Sequence, residues 1–187
     1  MSRPDFRLAN EADFGTIAAI TNHYIRTTAI HFGYEAITAD ELHEIWRSHQ
    51  DLYPWLVADH QGRVLAYAKA GVYRARTAYR WTTETSIYVA AAECGRGLGP
   101  LLYERLCEVL REQGFHTAIG GIALPNDASV RMHERLGFVP CGIIRRAGRK
   151  FDRWHDVGFW QLDLQTHEQA PGALVTPHAA FAASTPR

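Results

Sequence analysis

The chain has 187 residues, 47% hydrophobic and 21% charged, which is long enough for one packed domain and short for two. Its 20 basic and 20 acidic side chains give a formal net charge of zero, and no polybasic block favours a nucleic acid or a membrane surface as a partner. The first residues lack the apolar core of a signal peptide and no run is long enough to span a membrane, so we predict a cytoplasmic protein.

The first half of the chain is predicted to alternate strands and helices. Residues 6–8 form a short strand candidate, and Asn10 then precedes apolar residues at helical spacing, which predicts a helix start. The sequence Thr-Ala-Asp-Glu at 38–41 has the form of a capping box and predicts a second helix. Apolar segments at 55–58 and 64–72 predict two strands of a hairpin, joined by a His-Gln-Gly turn.

The second half continues this alternation. A strand at 82–89 leads into a glycine-rich turn and an amphipathic helix that ends at Gly114. A strand, a helix opened by Pro-Asn and closed by glycine, and two further strands are predicted at 116–124, 125–137, 138–146 and 155–164. Residues 165–187 carry little periodicity and are predicted to form a disordered tail, which leaves residues 1–164 as a single α/β domain with one sheet flanked by helices.

The most informative segment is the glycine-rich turn at residues 94–100, Cys-Gly-Arg-Gly-Leu-Gly-Pro. Glycines let the backbone approach a ligand closely, and the N–H groups at a helix start attract phosphate oxygens. The same glycines also suit a tight turn that only needs positive φ, and the loop alone leaves both interpretations open. The sequence has no GxxxxGK[ST] motif, and its GxGxG spacing departs from the dinucleotide fingerprint GxGxxG. The pyrophosphate of coenzyme A is the remaining candidate ligand.

The cysteines and histidines show no pattern typical of a metal site. Cys94, Cys107 and Cys141 are an odd number without CxxC spacing, and the ten histidines include no HExxH motif. We therefore predict no metal and no disulfide framework. No cysteine is predicted to be a covalent nucleophile, since Cys107 falls on the apolar face of its helix.

Several strings besides the loop resemble the GNAT superfamily of acyl-CoA N-acyltransferases, and within it the phosphinothricin and methionine sulfone/sulfoximine acetyltransferases. They are WTTETSIYV at 81–89, ALPNDASVRMHERLGF at 123–138, GRK at 148–150 and WHDVGFWQ at 154–161. The resemblance runs from near the N-terminus to about residue 164. It implies the GNAT fold, α/β (α+β), with a mixed, largely antiparallel sheet flanked by helices and acetyl-CoA wedged between two splayed parallel strands. It also implies a homodimer.

The resemblance implies a site for acetyl-CoA as co-substrate. Backbone groups of the strand before the loop are expected to hold the pantetheine arm, and the loop to hold the pyrophosphate. The implied cofactor residues are Ile87, Tyr88, Val89, Gly95, Arg96, Gly97, Leu98, Gly99, Pro100 and Asn126. Two positions depart from the family: Cys94 stands where Arg or Gln is usual, and Pro100 offers no N–H to a phosphate. We therefore expect weaker or rearranged cofactor contacts.

Acetyl transfer to an amine needs a group that takes a proton from the attacking nitrogen. Glu84, Ser86 and Tyr88 alternate along one strand and should share a face, and Glu84 matches the proposed catalytic glutamate of the family. His133 matches the histidine of the subfamily, at a position where many GNAT proteins carry a tyrosine acid. Its role as acid, base or positioning group stays open.

A substrate site is implied by matches to the phosphinothricin acetyltransferases. Arg74, Arg76 and Tyr79 offer two cations and a hydroxyl, which suit a carboxylate together with phosphinate, sulfone or sulfoximine oxygens. Phe32, Ser86 and Val157 are further candidates for lining that pocket. Ordinary solvated loop charge is the competing interpretation of the two arginines.

The predicted function is acetyl-CoA-dependent acetylation of the α-amino group of a small amino-acid-like substrate. A protein N-terminal or lysine acetyltransferase would use the same fold and cofactor but would need an open groove. An aminoglycoside acetyltransferase would want an acidic pocket, which the two arginines argue against. A non-catalytic acyl-CoA sensor is the alternative from another class, and the presence of both Glu84 and His133 argues against it.

Overall fold

The computed structural model describes residues 4–166, 168 and 170–184, and a seven-stranded sheet runs through them in the order β1-β2-β3-β4-β5-β7-β6. The strands are β1 (Asp5–Leu8), β2 (Trp55–His60), β3 (Arg63–Val72), β4 (Thr82–Val89), β5 (Thr117–Leu124), β6 (Val139–Lys150) and β7 (Arg153–Asp163). The helices are α1 (Phe14–Thr27), α2 (Ala39–Arg47), α3 (Leu98–Gln113), α4 (Asp127–Arg135) and α5 (Pro177–Ser184). Neighbouring strands pair antiparallel except β4 and β5, which are parallel. The predicted fold class is therefore confirmed.

Local capping chemistry fixes the starts of the first helices, as the sequence predicts. The Asn10 side chain accepts a hydrogen bond from the Ala12 N–H at 3.0 Å, at a short 3₁₀ turn that runs into α1. At α2, Thr38 and Glu41 form the reciprocal capping box. The β2–β3 hairpin turns at Gln61 and Gly62, both with positive φ. Both helices pack on the same face of the sheet, in one core cluster with Trp55, Val57 and Tyr67.

Alternation along the central strands divides the buried residues between two faces. On one face Tyr67 of β3 packs with residues of α1 and α2, whereas Ala66 and Ala68 face the core built around α3. The opposite pointing of successive side chains continues in β4, where Thr85 is buried and the neighbouring Glu84 is exposed. The sheet therefore presents two chemically different faces, which we call the α3 face and the α1 face.

The parallel pair of strands separates before either strand ends. Pairing of β4 with β5 runs from Thr82↔Thr117 to Thr85↔Gly120 and goes no further. Residues 86–89 of β4 remain paired with β3, and residues 121–124 of β5 remain paired with β7. A cleft therefore opens in the middle of the sheet between the last four residues of each strand.

The chain beyond β7 differs from its prediction. The helix α5 packs along α3, where Arg105 donates to the carbonyl oxygens of Phe181 (3.0 Å) and Ser184 (2.6 Å). The Gln113 side-chain amide donates to the Val175 carbonyl at 2.9 Å. The prediction of a disordered tail is thus wrong for the described part of residues 165–187; positions 167, 169 and 185–187 lie outside the described residues. The segment docks because α3 satisfies its carbonyls and buries Pro177 and Ala180.

The last two strands are longer than predicted and form an extended hairpin whose turn lies between Lys150 and Arg153.

Within the described ranges, no helix combines the length and the apolar character that crossing a membrane requires.

Candidate active site

The cleft between β4 and β5 leads to a cavity of about 50 Å³. Five residues named from the sequence meet there: Ser86, Ile87, Tyr88, Asn126 and His133. The other lining residues are Ile30, Thr85, Gly121, Ile122, Ala123 and Ser129. The splayed strands thus bring the expected cofactor strand, the α4 cap and the histidine to one place.

Two consecutive glycines of β5 admit one functional side chain on each face of the sheet. A Cβ atom on Gly120 would collide with the imidazole of His133, on the α3 face. A Cβ atom on Gly121 would lie 3.6 Å from Oε1 of Glu84 and 3.5 Å from the Phe159 ring, on the α1 face. Glu84 and His133 therefore approach the cleft from opposite sides.

Glu84 carries its carboxylate on the α1 face beside Gly121. The register pairs Gly71 with Glu84, Lys69 with Ser86 and Tyr67 with Tyr88, which confirms that Glu84, Ser86 and Tyr88 share a face. Although the side chain is exposed, surrounding protein atoms desolvate the carboxylate and raise its pKa, while the charge of Lys69 acts to lower it. A carboxylate with a raised pKa at a cleft is suited to accept a proton.

His133 is buried on the α3 face, with 4% of its surface exposed. Its Nδ1 lies 2.8 Å from the Ser129 carbonyl oxygen, so this nitrogen carries a proton and donates it to the bond. Burial lowers the pKa of the ring, and Nε2 of the neutral form accepts from the Tyr103 hydroxyl at 3.0 Å. The Tyr103 oxygen in turn is hydrogen-bonded to Oγ1 of Thr85 at 2.6 Å, and the Thr85 hydroxyl also lies 3.2 Å from the Ile119 carbonyl oxygen. The side chains of His133, Tyr103 and Thr85 thus form a hydrogen-bonded chain from α4 to the last residue of β4 that pairs with β5.

Aromatic rings line the α1 face around Tyr88. Its ring lies 5.3 Å from those of Tyr24 and Tyr67 and 6.0 Å from that of His31. Burial raises the Tyr88 pKa to about 12, so the phenol stays protonated at neutral pH. Further along this face, Phe32 lies against Gly148 and 6.2 Å from the His155 ring, and Val157 occupies β7 opposite Ala123 of β5.

The glycine loop has the backbone geometry that a phosphate cradle needs. Gly95 and Gly97 both have φ of +78°, and apart from their chain neighbours no described residue has an atom within 4 Å of the position that a Cβ would take at either glycine. Gly97 caps α3 in the left-handed region, and Leu98, Gly99 and Pro100 form the first turn of that helix. The Arg96 guanidinium is paired with Glu93 at 3.0 Å instead of projecting freely. The N-termini of α3 and of α4, which Asn126 caps by accepting from the Ser129 N–H, follow the diverging ends of β4 and β5.

The predicted substrate arginines lie apart from this cleft. Arg74, Arg76 and Tyr79 are exposed on the loop between β3 and β4, and none of them lines the cavity beside His133. The Arg74 guanidinium lies over the rings of Tyr73 and Tyr79, at 5.2 and 6.0 Å. Neither arginine forms an ion pair within the part of the chain that the structure describes.

The described residues contain no group of three or more His, Cys, Asp or Glu side chains arranged to hold a metal ion.

Several residues of the site were missed by the sequence analysis, and three of them show what the sequence could and could not reveal. Tyr103 has a hydroxyl on the apolar face of α3, and such a group requires a buried partner, which is a usable signal. Lys69 interrupts an apolar strand that is buried on both sides, which is a second signal. The role of Gly120 in admitting His133 has no signal in the sequence, because it depends on the distance between α4 and β5.

Comparisons with known proteins agree with this geometry. Residues 6–158 match the family described as "Acetyltransferase (GNAT) domain". The chain is 44% identical over 173 residues to a phosphinothricin N-acetyltransferase of Streptomyces viridochromogenes, covering 92% of this chain and 93% of that protein. It is 38% identical to an L-methionine sulfoximine/L-methionine sulfone acetyltransferase of Salmonella typhimurium, covering 89% and 98%. A Salmonella typhimurium acetyltransferase solved with its cofactor acetyl-CoA superposes with a TM-score of 0.87 at 37% identity, covering 92% and 99%. The chain therefore belongs to the GNAT family of acetyltransferases.

Proposed function

We propose that this protein is an N-acetyltransferase that moves the acetyl group of acetyl-CoA to the α-amino group of a small amino-acid-like substrate of the phosphinothricin, methionine sulfone or methionine sulfoximine type. The observation that carries the proposal is the Glu84 carboxylate, which lies beside Gly121 where the two parallel strands diverge. The names of the relatives supply the class of acceptor.

The cleft and the glycine loop fit acetyl-CoA as the bound co-substrate. Ile87, Tyr88 and Val89 would hold the pantetheine arm through backbone groups that β5 leaves unpaired, although the Val89 carbonyl already accepts from the Tyr24 hydroxyl at 2.7 Å. The open cradle at Gly95 and Gly97 and the first turn of α3, from Leu98 to Pro100, would hold the pyrophosphate, with Arg96 and Asn126 nearby. Because Pro100 has no N–H, this turn provides one donor fewer than usual.

Acetyl-CoA, when bound, would supply an acetyl thioester, and acetylation of a substrate that arrives as an α-ammonium ion would release the coenzyme thiol and one proton. Glu84 accepts that proton, because its carboxylate faces the cleft and has a raised pKa. On the opposite face His133 is a positioning group. Both of its nitrogens are engaged, and they fix the Tyr103 hydroxyl and the edge of β4 at Thr85.

The acceptor is proposed to bind on the α1 face, where Phe32, Ser86 and Val157 contribute to the wall. Arg74, Arg76 and Tyr79 would bind its anionic oxygens. The support is that neither guanidinium forms an ion pair among the described residues, and that their loop leads into β4 two residues before Glu84.

We also propose that the protein works in the cytoplasm as a homodimer. The support for the dimer is the outer hairpin of β6 and β7, an edge of the sheet that exposes large apolar side chains: Val139 (60%), Ile143 (60%), Ile144 (55%) and Trp154 (58%). A monomeric mass by sedimentation at micromolar concentration would contradict the dimer.

The test of the function is thiol release from acetyl-CoA with a panel of acceptors. The panel contains phosphinothricin, methionine sulfone, methionine sulfoximine and, for the peptide alternative, a peptide with a free N-terminus. We expect turnover with at least one amino acid and a loss of roughly 10²–10⁴-fold in kcat for Glu84→Gln, with acetyl-CoA affinity little changed. Binding of acetyl-CoA without turnover on any acceptor would instead identify an acyl-CoA sensor.

A further inference from the structure

Lys69 is an unusual residue for its place in the sheet. The chain has only two lysines among its 20 basic residues, and Lys69 lies in the middle of β3, between the buried Ala68 and Ala70. Burial lowers the pKa of its ammonium group, whereas the charge of Glu84 acts to raise it. A charged side chain in such a position is costly unless a partner compensates for the lost solvation.

The other lysine shows what a purely structural role looks like in this protein. The Lys150 ammonium donates to two backbone carbonyl oxygens, those of Ile25 and His31, both at 2.6 Å. Within the described residues, Lys69 makes no such hydrogen bond, and its Nζ lies 4.5 Å from the centre of the Trp55 ring. This is a cation–π contact, which offsets part of the lost solvation but leaves the three N–H groups of the ammonium without a hydrogen-bond acceptor among the described residues.

The register places Lys69 near Glu84, although the two form no ion pair within 4.0 Å in the described structure. Lys69 pairs with Ser86 and Gly71 pairs with Glu84, so Lys69 and Glu84 are diagonal neighbours on the α1 face. Such neighbours are within reach of long side chains. Because Gly71 has no side chain, nothing from β3 stands directly opposite the glutamate.

The other titratable groups around Glu84 do not supply a compensating cation. Tyr88 on the same strand and Tyr103 on α3 both have pKa values raised, mainly by burial and further by the Glu84 charge. His31, on the loop after α1, has its pKa lowered by burial and by Lys150 and Lys69. Lys69 is the cation that favours the ionised carboxylate.

We propose that Lys69 is a positioning residue for the acetyl transfer: the charge of its ammonium group keeps the Glu84 carboxylate, which lies beside Gly121, ionised, a role that rests on Glu84 being the proposed base. The choice of lysine over arginine fits a compact point charge beside one carboxylate. The carboxylate can thus be desolvated enough to be a strong proton acceptor and still be deprotonated before the amine arrives.

The test compares Lys69→Met with Lys69→Arg by two readouts. The first is the ¹³C carboxyl titration of Glu84 by NMR, assigned with Glu84→Gln, which does not depend on activity. The second is the pH profile of kcat/KM. Removing the positive charge removes the effect that lowers the Glu84 pKa, so in Lys69→Met both the titration and the acid limb of kcat/KM should move to higher pH. At pH values below the Glu84 pKa, kcat/KM of Lys69→Met should be roughly three- to tenfold lower than that of the wild type.

Two controls separate charge from packing. Lys69→Arg keeps the charge and should leave the titration near that of the wild type. Arg47→Met removes one exposed cation from α2, where it pairs with Glu44, and should move neither readout. Circular dichroism and thermal unfolding establish that each variant is folded.

An unshifted Glu84 titration in folded Lys69→Met would overturn the proposal. An acid limb that persists in Glu84→Gln would show instead that Glu84 is not the base, which is the failure of the proposed function. The two failures are therefore distinguishable in the same set of variants.

Discussion

The substitution Gly120→Ala should disable the site through a single methyl group. Gly120 has no left-handed φ, so alanine meets no backbone strain there. Its Cβ atom would collide with Nε2 of His133 and lie 2.7 Å from Cδ2. The ring has little freedom to move, because it is buried and bonded at both nitrogens, to Ser129 and Tyr103. The methyl group must therefore displace the imidazole and break the bond to Tyr103.

The expected cost follows from two effects. Inserting a methyl group into a well-packed interior costs about 1–3 kcal/mol. Leaving a buried hydrogen-bonding partner unsatisfied costs a further ~1–3 kcal/mol. Replacing glycine by alanine recovers roughly 0.4–1 kcal/mol through the unfolded state. We therefore expect the free energy of unfolding to fall by about 1–6 kcal/mol, and kcat to fall by at least about tenfold because the edge of β4 loses its support.

Urea unfolding and steady-state kinetics measure the two effects, and the adjacent Gly121→Ala is the matched control. There the new Cβ atom would lie 3.5 Å from Phe159 and 3.6 Å from Glu84, which are ordinary contact distances. Gly121→Ala should therefore stay near the wild type in stability. Equal stability and kcat for the two alanine variants would refute the assignment of Gly120 as the space that His133 requires.

Two further predictions concern the surface loop and the C-terminal segment. Arg76→Met should raise KM for an anionic amino acid by roughly tenfold or more, since a hydrogen bond to a charged group contributes about 1.5–3 kcal/mol, and should leave acetyl-CoA affinity unchanged. The control is Arg80→Met, whose guanidinium lies 4.1 Å from the centre of the Trp81 ring, and an unchanged KM in Arg76→Met would place the anion site elsewhere. Truncation after Thr166 should lower the melting temperature by several degrees, because α3 loses the contacts of α5, and Arg105→Met should lower it less but in the same direction. If the truncated protein had the same melting temperature as the full chain, the docked segment would contribute no stability.

The sequence predicts the order of elements well because local chemistry determines it. Capping side chains at Asn10 and Thr38, the alternation in β4 and the glycines around α3 act within a few residues of the chain. The position of the cleft could also be anticipated, because the glycine loop follows the strand that diverges from its parallel neighbour.

The remaining features depend on distances between segments that are remote in the sequence. The bond between Tyr103 and His133 joins two helices, and the proximity of Lys69 to Glu84 depends on the β3–β4 register. Docking of α5 depends on side chains of α3 that meet its carbonyl groups, which composition alone does not reveal. The roles of Arg74 and Arg76 stay predictions.

The division of the sheet has a mechanical consequence. Strands β1 to β4 and strands β5 to β7 form two blocks, and between them the backbone ladder consists of four residue pairs, Thr82↔Thr117 to Thr85↔Gly120. A ligand arm bound in the cleft, as proposed above, would fill the gap beyond this short seam. A ligand that binds only the folded protein raises its free energy of unfolding. At a free concentration of 100 times its Kd, this increase is about 2.7 kcal/mol. When no ligand is bound, the core around α3 has to hold the junction together, because it includes residues of both blocks.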